Sequence, residues 1–320
     1  MVSRLTVHVP ILVRPIVDTL IEPFRSLPAS APSHWIVDCT LGGGGHTAQF
    51  LAALAALEPE EKCPRHKVLA VDQDPSAIDR ARVRFAREIA EGRLELLQSR
   101  FSGISLSDRP VLGLMADLGF SSDQIESADR GLSFQLEGPL DMRLDPTSGM
   151  SARDYLAQVT EAELQEVLQE YGEERFSRRI AQAILRERGT NGVPQTTKAL
   201  ADVISRAVPS EARYGRLHPA TRTFQALRIE VNGELNELDT LLSHVILGVQ
   251  PGGRVAILSF HSLEDRKVKN AFRAVSREDR ARARFIALTK KPIEADDLEI
   301  STNPRSRSAK LRIGERTSNP

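Results

Sequence analysis

The sequence predicts an α/β fold, a parallel sheet with helices on its faces, interrupted by a purely helical stretch. Three observations carry this. Four short apolar, β-branched runs fall in the first third of the chain, helix-patterned segments separate them, and beyond residue 150 the periodicity is mainly helical. The 320 residues, 41% apolar and 27% charged, suffice for a large buried core and exclude collagenous, disulfide-rich and disordered classes.

The elements follow in order. Trp35 to Cys39, Val68 to Val71, Leu94 to Leu97 and Val111 to Ala116 read as buried strands, with helices expected over Thr47 to Leu57 and Pro75 to Glu91. After Asp117 a Gly/Ser/Asp-rich stretch, Gly119 to Gly149, leads into helical sequence. Thr160 and Glu163 have capping-box spacing ahead of Leu164, Val167 and Leu168. Phe176, Ile180, Ala183 and Ile184 mark the next helix, and Thr197 to Val208 another. One long helix is expected from Thr221 to Gly248, because Phe224, Leu227, Val231, Leu235, Leu238, Leu242 and Val245 form a single stripe. Pro251-Gly252-Gly253 then turns into a fifth strand, Val255 to Ser259, and Phe285 to Leu288 with Ala309 to Ile313 can close the sheet as a pair. This organisation assigns 1–140 and 218–320 to one discontinuous domain and 141–217 to a helical insert.

No apolar run approaches the roughly eighteen residues of a membrane span. Arg4, Arg14 and Asp18 spoil the N-terminal stretch as a signal peptide. Cys39 and Cys63 form neither a disulfide framework nor a zinc pattern, which suits a reducing cytoplasm, and no metal is expected. The zero net charge conceals an asymmetry: residues 1–172 carry 16 Lys/Arg against 25 Asp/Glu, and residues 173–320 carry 27 against 18. Arginines crowd Arg175 to Arg188 and Arg266 to Arg284, a pattern that suits a polyanionic partner and equally suits solvated helix faces.

The first strand runs into Asp38-Cys39-Thr40-Leu41-Gly42-Gly43-Gly44-Gly45-His46-Thr47, a glycine loop opening a helix. Such a loop lets a ligand approach the backbone and offers it free N–H groups. The second strand ends in Asp72, placed to accept ribose hydroxyls, and the fourth in Asp117. Together they describe a nucleoside-cofactor site. Gly43, Gly45 and Ala48 fit the relaxed dinucleotide pattern, which keeps NAD open, but Asp72 lies 27 positions beyond Gly45, more than the usual spacing of about 20. Three carboxylates, Asp38, Asp72 and Asp117, suit the cationic groups of S-adenosylmethionine better than a pyrophosphate.

Longer motifs add a resemblance. His8-Val9-Pro10, Gly44-Gly45-His46-Thr47, Asp72-Gln73-Asp74-Pro75 and Asp117 to Gln124 are followed by Arg130-Gly131, Gly138 to Arg143 and Tyr171 to Arg175. His218 to Gln225, Ser259 to Arg266 and Asn303 to Ser308 complete the series. In these stretches, from about residue 8 to 316, the chain closely resembles the RsmH (MraW) family of 16S rRNA cytosine-N4 methyltransferases. The resemblance implies a Rossmann-like S-adenosylmethionine-dependent methyltransferase fold with an inserted all-helical domain for substrate recognition. Its cofactor contacts fall on Gly44, Gly45, His46, Asp72, Phe101, Asp117 and Gln124. The implied reaction methylates the N4 amine of one cytidine in the decoding region, with 16S rRNA or the 30S subunit as partner and a homodimer permitted. Two departures stand out: Phe120 replaces a smaller aliphatic residue, and Glu58 to Lys67 reads as an extra loop.

For catalysis, Asp117 is the expected orienting carboxylate, Phe120 a ring to stack on the base, and His261 a group at the crevice after the fifth strand. Arg175, Arg178, Arg179, Arg222, Arg266, Lys267 and Arg305 are candidate phosphate contacts. A nicotinamide-dependent oxidoreductase and a non-catalytic ribosome-assembly factor are the competing readings, along with a different RNA acceptor.

Overall fold

The structure is a computed structural model that describes residues 10–28, 30–57, 66–120, 124–125, 127–215, 217–273 and 284–319. His8-Val9, the Glu58–Arg65 part of the extra loop with Cys63, Ser121-Ser122-Asp123 and the 274–283 part of the second arginine-rich stretch lie outside them. The chain forms two compact units, residues 1–120 with 236–320, and residues 121–235.

The first unit is built on one seven-stranded sheet. β1 (Trp35–Asp38), β2 (Lys67–Asp72), β3 (Leu94–Gln98), β4 (Val111–Asp117), β5 (Val249–Ser259), β6 (Phe285–Ala287) and β7 (Lys310–Arg316) lie in the order β3-β2-β1-β4-β5-β7-β6. The first five are parallel, and β7 runs antiparallel between β5 and β6. Continuous apolar runs produced this: β1 is buried throughout, and β4 is buried from Val111 to Ala116, as strands covered on both faces must be. Helix α1 (Val13–Arg25) packs Ile16, Leu20, Ile21 and Phe24 into the core, and Gly113 in β4 leaves room for Leu20, whose Cβ would lie 3.4 Å from a methyl placed there. Helix α2 (Gly45–Leu57) contributes Phe50, Leu51 and Leu54. The segment expected as one helix from Pro75 is two, α3 (Pro75–Arg84) and α4 (Ala86–Ala90), parted at Phe85, whose φ of −111° is not helical.

The second unit is helical: Ala152–Gln158, Glu161–Glu170, Ser177–Asn191, Thr197–Ala207, Ser210–Arg213 and Ala220–Asn232. The capping box is present, Thr160 and Glu163 each accepting from the other's backbone N–H. The unit is wider than the 141–217 insert because flanking residues share its core. Leu132 and Leu140 enter from one side and Ala220, Phe224, Ala226 and Leu227 from the other. Asn232 reaches the same core: its Nδ2 donates to Met142 O at 2.9 Å, and its Oδ1 accepts from Leu144 N–H at 2.8 Å. The long helix expected from Thr221 is also divided. Gly233 adopts φ 61° and donates to Glu230 and Ile229 carbonyls, closing Ala220–Asn232 before a second helix, Glu234–Ser243.

Candidate active site

In an open α/β sheet the ligand crevice lies off the carboxyl ends of the strands where the order reverses, here between β1 and β4. The loop between β1 and α2 starts there. Leu41 N–H is held by the Val71 carbonyl at 2.8 Å and Gly44 N–H by the Leu41 carbonyl at 2.7 Å. Gly42 and Gly44 take φ of 50° and 74°, which favours glycine at both. A Cβ on Gly44 would come within 2.7 Å of the Phe85 ring, and one on Gly45 within 2.9 Å of Pro10.

Three carboxylates surround this loop in different ways. Asp38 is fully buried, accepting Thr47 Oγ1–H at 2.7 Å and Thr40 N–H at 3.1 Å, and burial raises its pKa. It is therefore an internal strut, not the cation-facing group expected from the sequence. Thr40 continues the chain of bonds, its Oγ1 accepting from Asp117 N–H at 2.6 Å.

Asp72 ends β2 half-buried. Its Oδ2 accepts Gly42 N–H at 2.8 Å and its Oδ1 accepts Asp74 N–H at 2.9 Å. These use two of about four acceptor positions on a carboxylate and leave the others for hydroxyl donors. Burial pushes its pKa up to about 6, against the two backbone N–H groups. Asp117 ends β4 and is pushed up to about 6 for the same reason, His46 opposing. Its Oδ1 takes a long 3.3 Å bond from Gly119 N–H, while Oδ2 has no hydrogen-bond partner among the described residues.

The other expected residues are placed as follows. His46 is buried, with Nε2–H donated to the Ile11 carbonyl at 3.0 Å, and burial lowers its pKa. Its side chain is thus committed to holding the N-terminal segment against the loop. Phe101 is half-buried at the start of a single turn, Phe101–Gly103, directly after β3. Phe120 is half-buried three residues after Asp117. Gln124 belongs to the second unit and is buried there. His261, expected at the crevice as a catalytic group, is the N-cap of helix Ser262–Phe272. Its Nδ1 accepts from Glu264 N–H at 3.5 Å and so serves the cap, while its buried Nε2 lies 3.0 Å from Glu264 Oε1 without a hydrogen bond to any described residue. Three of the cationic candidates are also engaged. Lys267 pairs with Asp239 at 2.7 Å, Arg222 donates to the Glu173 carbonyl at 2.9 Å, and Arg175 stacks over Phe176.

Sequence reasoning missed Thr40 and Thr47, whose hydroxyls tie the loop to Asp38 and Asp117, because nothing in their local pattern signals a bond across the sheet. It also missed Phe260, whose ring would lie 2.8 Å from a Cβ on Gly119. The signal was available there: Phe260 follows the fifth strand inside a quoted motif.

Comparison with known proteins gives the family. The profile described as the MraW methylase family matches residues 5–317. The chain is 43% identical over 309 residues to the ribosomal RNA small subunit methyltransferase H of Synechococcus elongatus, covering 97% of this chain and 94% of that protein. A protein of the same description from Prochlorococcus marinus (strain MIT 9303) is 43% identical over 300 residues, 93% and 91% of the two chains. Another from Synechococcus sp. (strain JA-2-3B'a(2-13)) is 45% identical over 294 residues, 88% and 86%.

Proposed function

Because the chain belongs to the MraW methylase family, we propose that it methylates the N4 amine of a cytidine in the decoding region of 16S rRNA, within the small ribosomal subunit. The observation that carries the reading is the pair of half-buried strand-end carboxylates beside one glycine loop: Asp72 accepts from Gly42 N–H, and Asp117 donates its backbone N–H to Thr40 Oγ1. The methyl donor is S-adenosylmethionine, whose sulfonium supplies an electrophilic methyl carbon when bound. The residues fit it: glycines where a Cβ would collide with Phe85 or Pro10 let a ligand approach the backbone, and Asp72 keeps acceptor capacity for ribose hydroxyls. Gly44, Gly45 and the half-buried Phe101 complete the proposed contacts, with His46 holding the wall behind them.

The cytosine N4 lone pair is delocalised into the ring, so the amine is a poor nucleophile. The free Oδ2 of Asp117 can accept one amino hydrogen and turn the lone pair toward the methyl carbon, an orientation effect that supplies much of the acceleration. Phe120 supplies the ring that stacks on the base in this reading, and the base must leave its helix to reach the site. The second unit serves substrate recognition in this reading. A cytoplasmic setting, no metal and a permitted homodimer belong to the same reading.

Methyl transfer from labelled S-adenosylmethionine to 30S subunits lacking the modification, followed by nucleoside mass spectrometry, tests it. N4-methylcytidine supports the proposal, and label in another nucleoside rejects the acceptor. Asp117→Asn should leave cofactor affinity unchanged and abolish turnover. Lost affinity would instead make Asp117 a cofactor contact only.

A further inference from the structure

Helices Ser177–Asn191 and Thr197–Ala207 of the second unit enclose an open groove of about 390 Å³. One wall is a single helical face at positions 179, 182, 183, 186 and 190, and Arg206 stands on the other above the buried Val203. The walls carry three guanidiniums and one carboxylate, Glu187, which lies 3.9 Å from Arg206.

Most arginines of this unit are committed elsewhere. Arg188 donates to the Leu156 and Val159 carbonyls, Arg143 pairs with Asp141, and Arg228 is bidentate on Glu234. Arg179 and Arg186 are exposed, and their guanidiniums make no hydrogen bond or ion pair with any described residue. Seven residues separate them, about 10 Å along the axis, so the two guanidiniums address separate anions instead of chelating one. A planar, permanently charged fork facing solvent in a concave site matches phosphate oxygens.

We infer that this groove docks the phosphodiester backbone of the RNA substrate, with Arg179 and Arg186 each holding one phosphate. The inference rests on the proposed RNA substrate and locates the contact on that substrate that sets affinity without reading sequence.

The test is binding of naked 16S rRNA and of 30S subunits by the full chain and by Arg179→Ala/Arg186→Ala, across a salt series. Both side chains are exposed and without a partner among the described residues, so the variant should fold normally, which circular dichroism and unchanged S-adenosylhomocysteine affinity would verify. Expected is an affinity loss of roughly tenfold or more on both RNAs. The slope of log K against log salt should become shallower by about 1.4 for single-stranded contacts and about 1.8 for duplex. Arg179→Lys/Arg186→Lys, which keeps the charge, should restore most of the slope. An unchanged slope and affinity in the Ala variant, with the full chain methylating RNA, overturns the groove and leaves the methyltransferase reading standing. Weaker binding to 30S alone overturns RNA as the occupant in favour of an acidic ribosomal protein. A full chain that binds RNA without methylating it, with the slope change intact, removes the reaction and keeps the groove.

Discussion

Acidification should weaken cofactor binding without unfolding the protein. Asp72 and Asp117 are both pushed up to about 6 by burial, so each is mostly ionised at pH 7 and mostly protonated at pH 5. For a group titrating near 6 the ionised fraction falls about tenfold over that interval. A ligand that needs ionised Asp72 as its hydroxyl acceptor therefore binds about tenfold more weakly at pH 5, while protonation of Asp117, the orienting group, lowers turnover instead. The stability of the ligand-free protein moves the other way. A carboxylate raised above its ordinary 3.8 contributes stability that is fully present below that value and lost as pH rises through about 6. Acidifying from pH 7 to 5 restores part of it. His46, whose pKa is lowered by burial, opposes this: its contribution is present above its ordinary 6.5 and lost as pH falls through the lowered value. Isothermal titration of S-adenosylmethionine at half-unit steps from pH 5 to 7, with urea unfolding at the same points, separates binding from stability. Asp72→Asn should flatten the affinity profile. An affinity constant to within twofold across the range would refute the assignment of Asp72 as the ribose acceptor.

Two further substitutions test the scaffold. Thr47→Val keeps the shape and removes the 2.7 Å bond to the buried Asp38 carboxylate. It should cost about 2 kcal/mol in urea unfolding and weaken cofactor binding, and a loss below about 0.5 kcal/mol would contradict the strut role. Asn232→Ala removes bonds to Leu144, Met142 and Arg228 within the second unit, and also the support under Met142, which sits at φ 64°. A loss of about 3 kcal/mol is expected, with a smaller one showing that local rearrangement satisfies those backbone groups.

Much of this protein was legible from residue order. The strands of the sheet announced themselves because burial on both faces demands unbroken apolar, β-branched runs. Gly44, Gly45, Asp72 and Asp117 could be picked out because ligand-facing residues collect where such strands end. The helical unit was legible in its periodicity but not in its extent. Leu132, Leu140 and Phe224 look no different in sequence from residues that would pack on the sheet. The break at Gly233 escaped notice because a helix interior tolerates glycine at a cost of about 1 kcal/mol, and only the capping bonds to Glu230 and Ile229 reveal a terminus. His261 lies beside a strand end like Asp72 and Asp117, and Glu264, three positions on, makes it the N-cap of a helix.

By itself the sequence determined the local states: which segments extend, which coil, where glycine must replace a side chain, and which carboxylates end the strands. Those properties depend on neighbours within a few positions, where sterics and periodicity act. The tertiary structure alone decided that β7 enters antiparallel between β5 and β6, that Asp38 is an internal strut while Asp72 and Asp117 keep acceptor capacity, and that the Arg179 and Arg186 guanidiniums have no partner among the described residues. Each of these depends on which distant group fills a carboxylate's or guanidinium's hydrogen-bonding capacity, or on which strand edge is open when the last hairpin arrives. No local pattern encodes that competition.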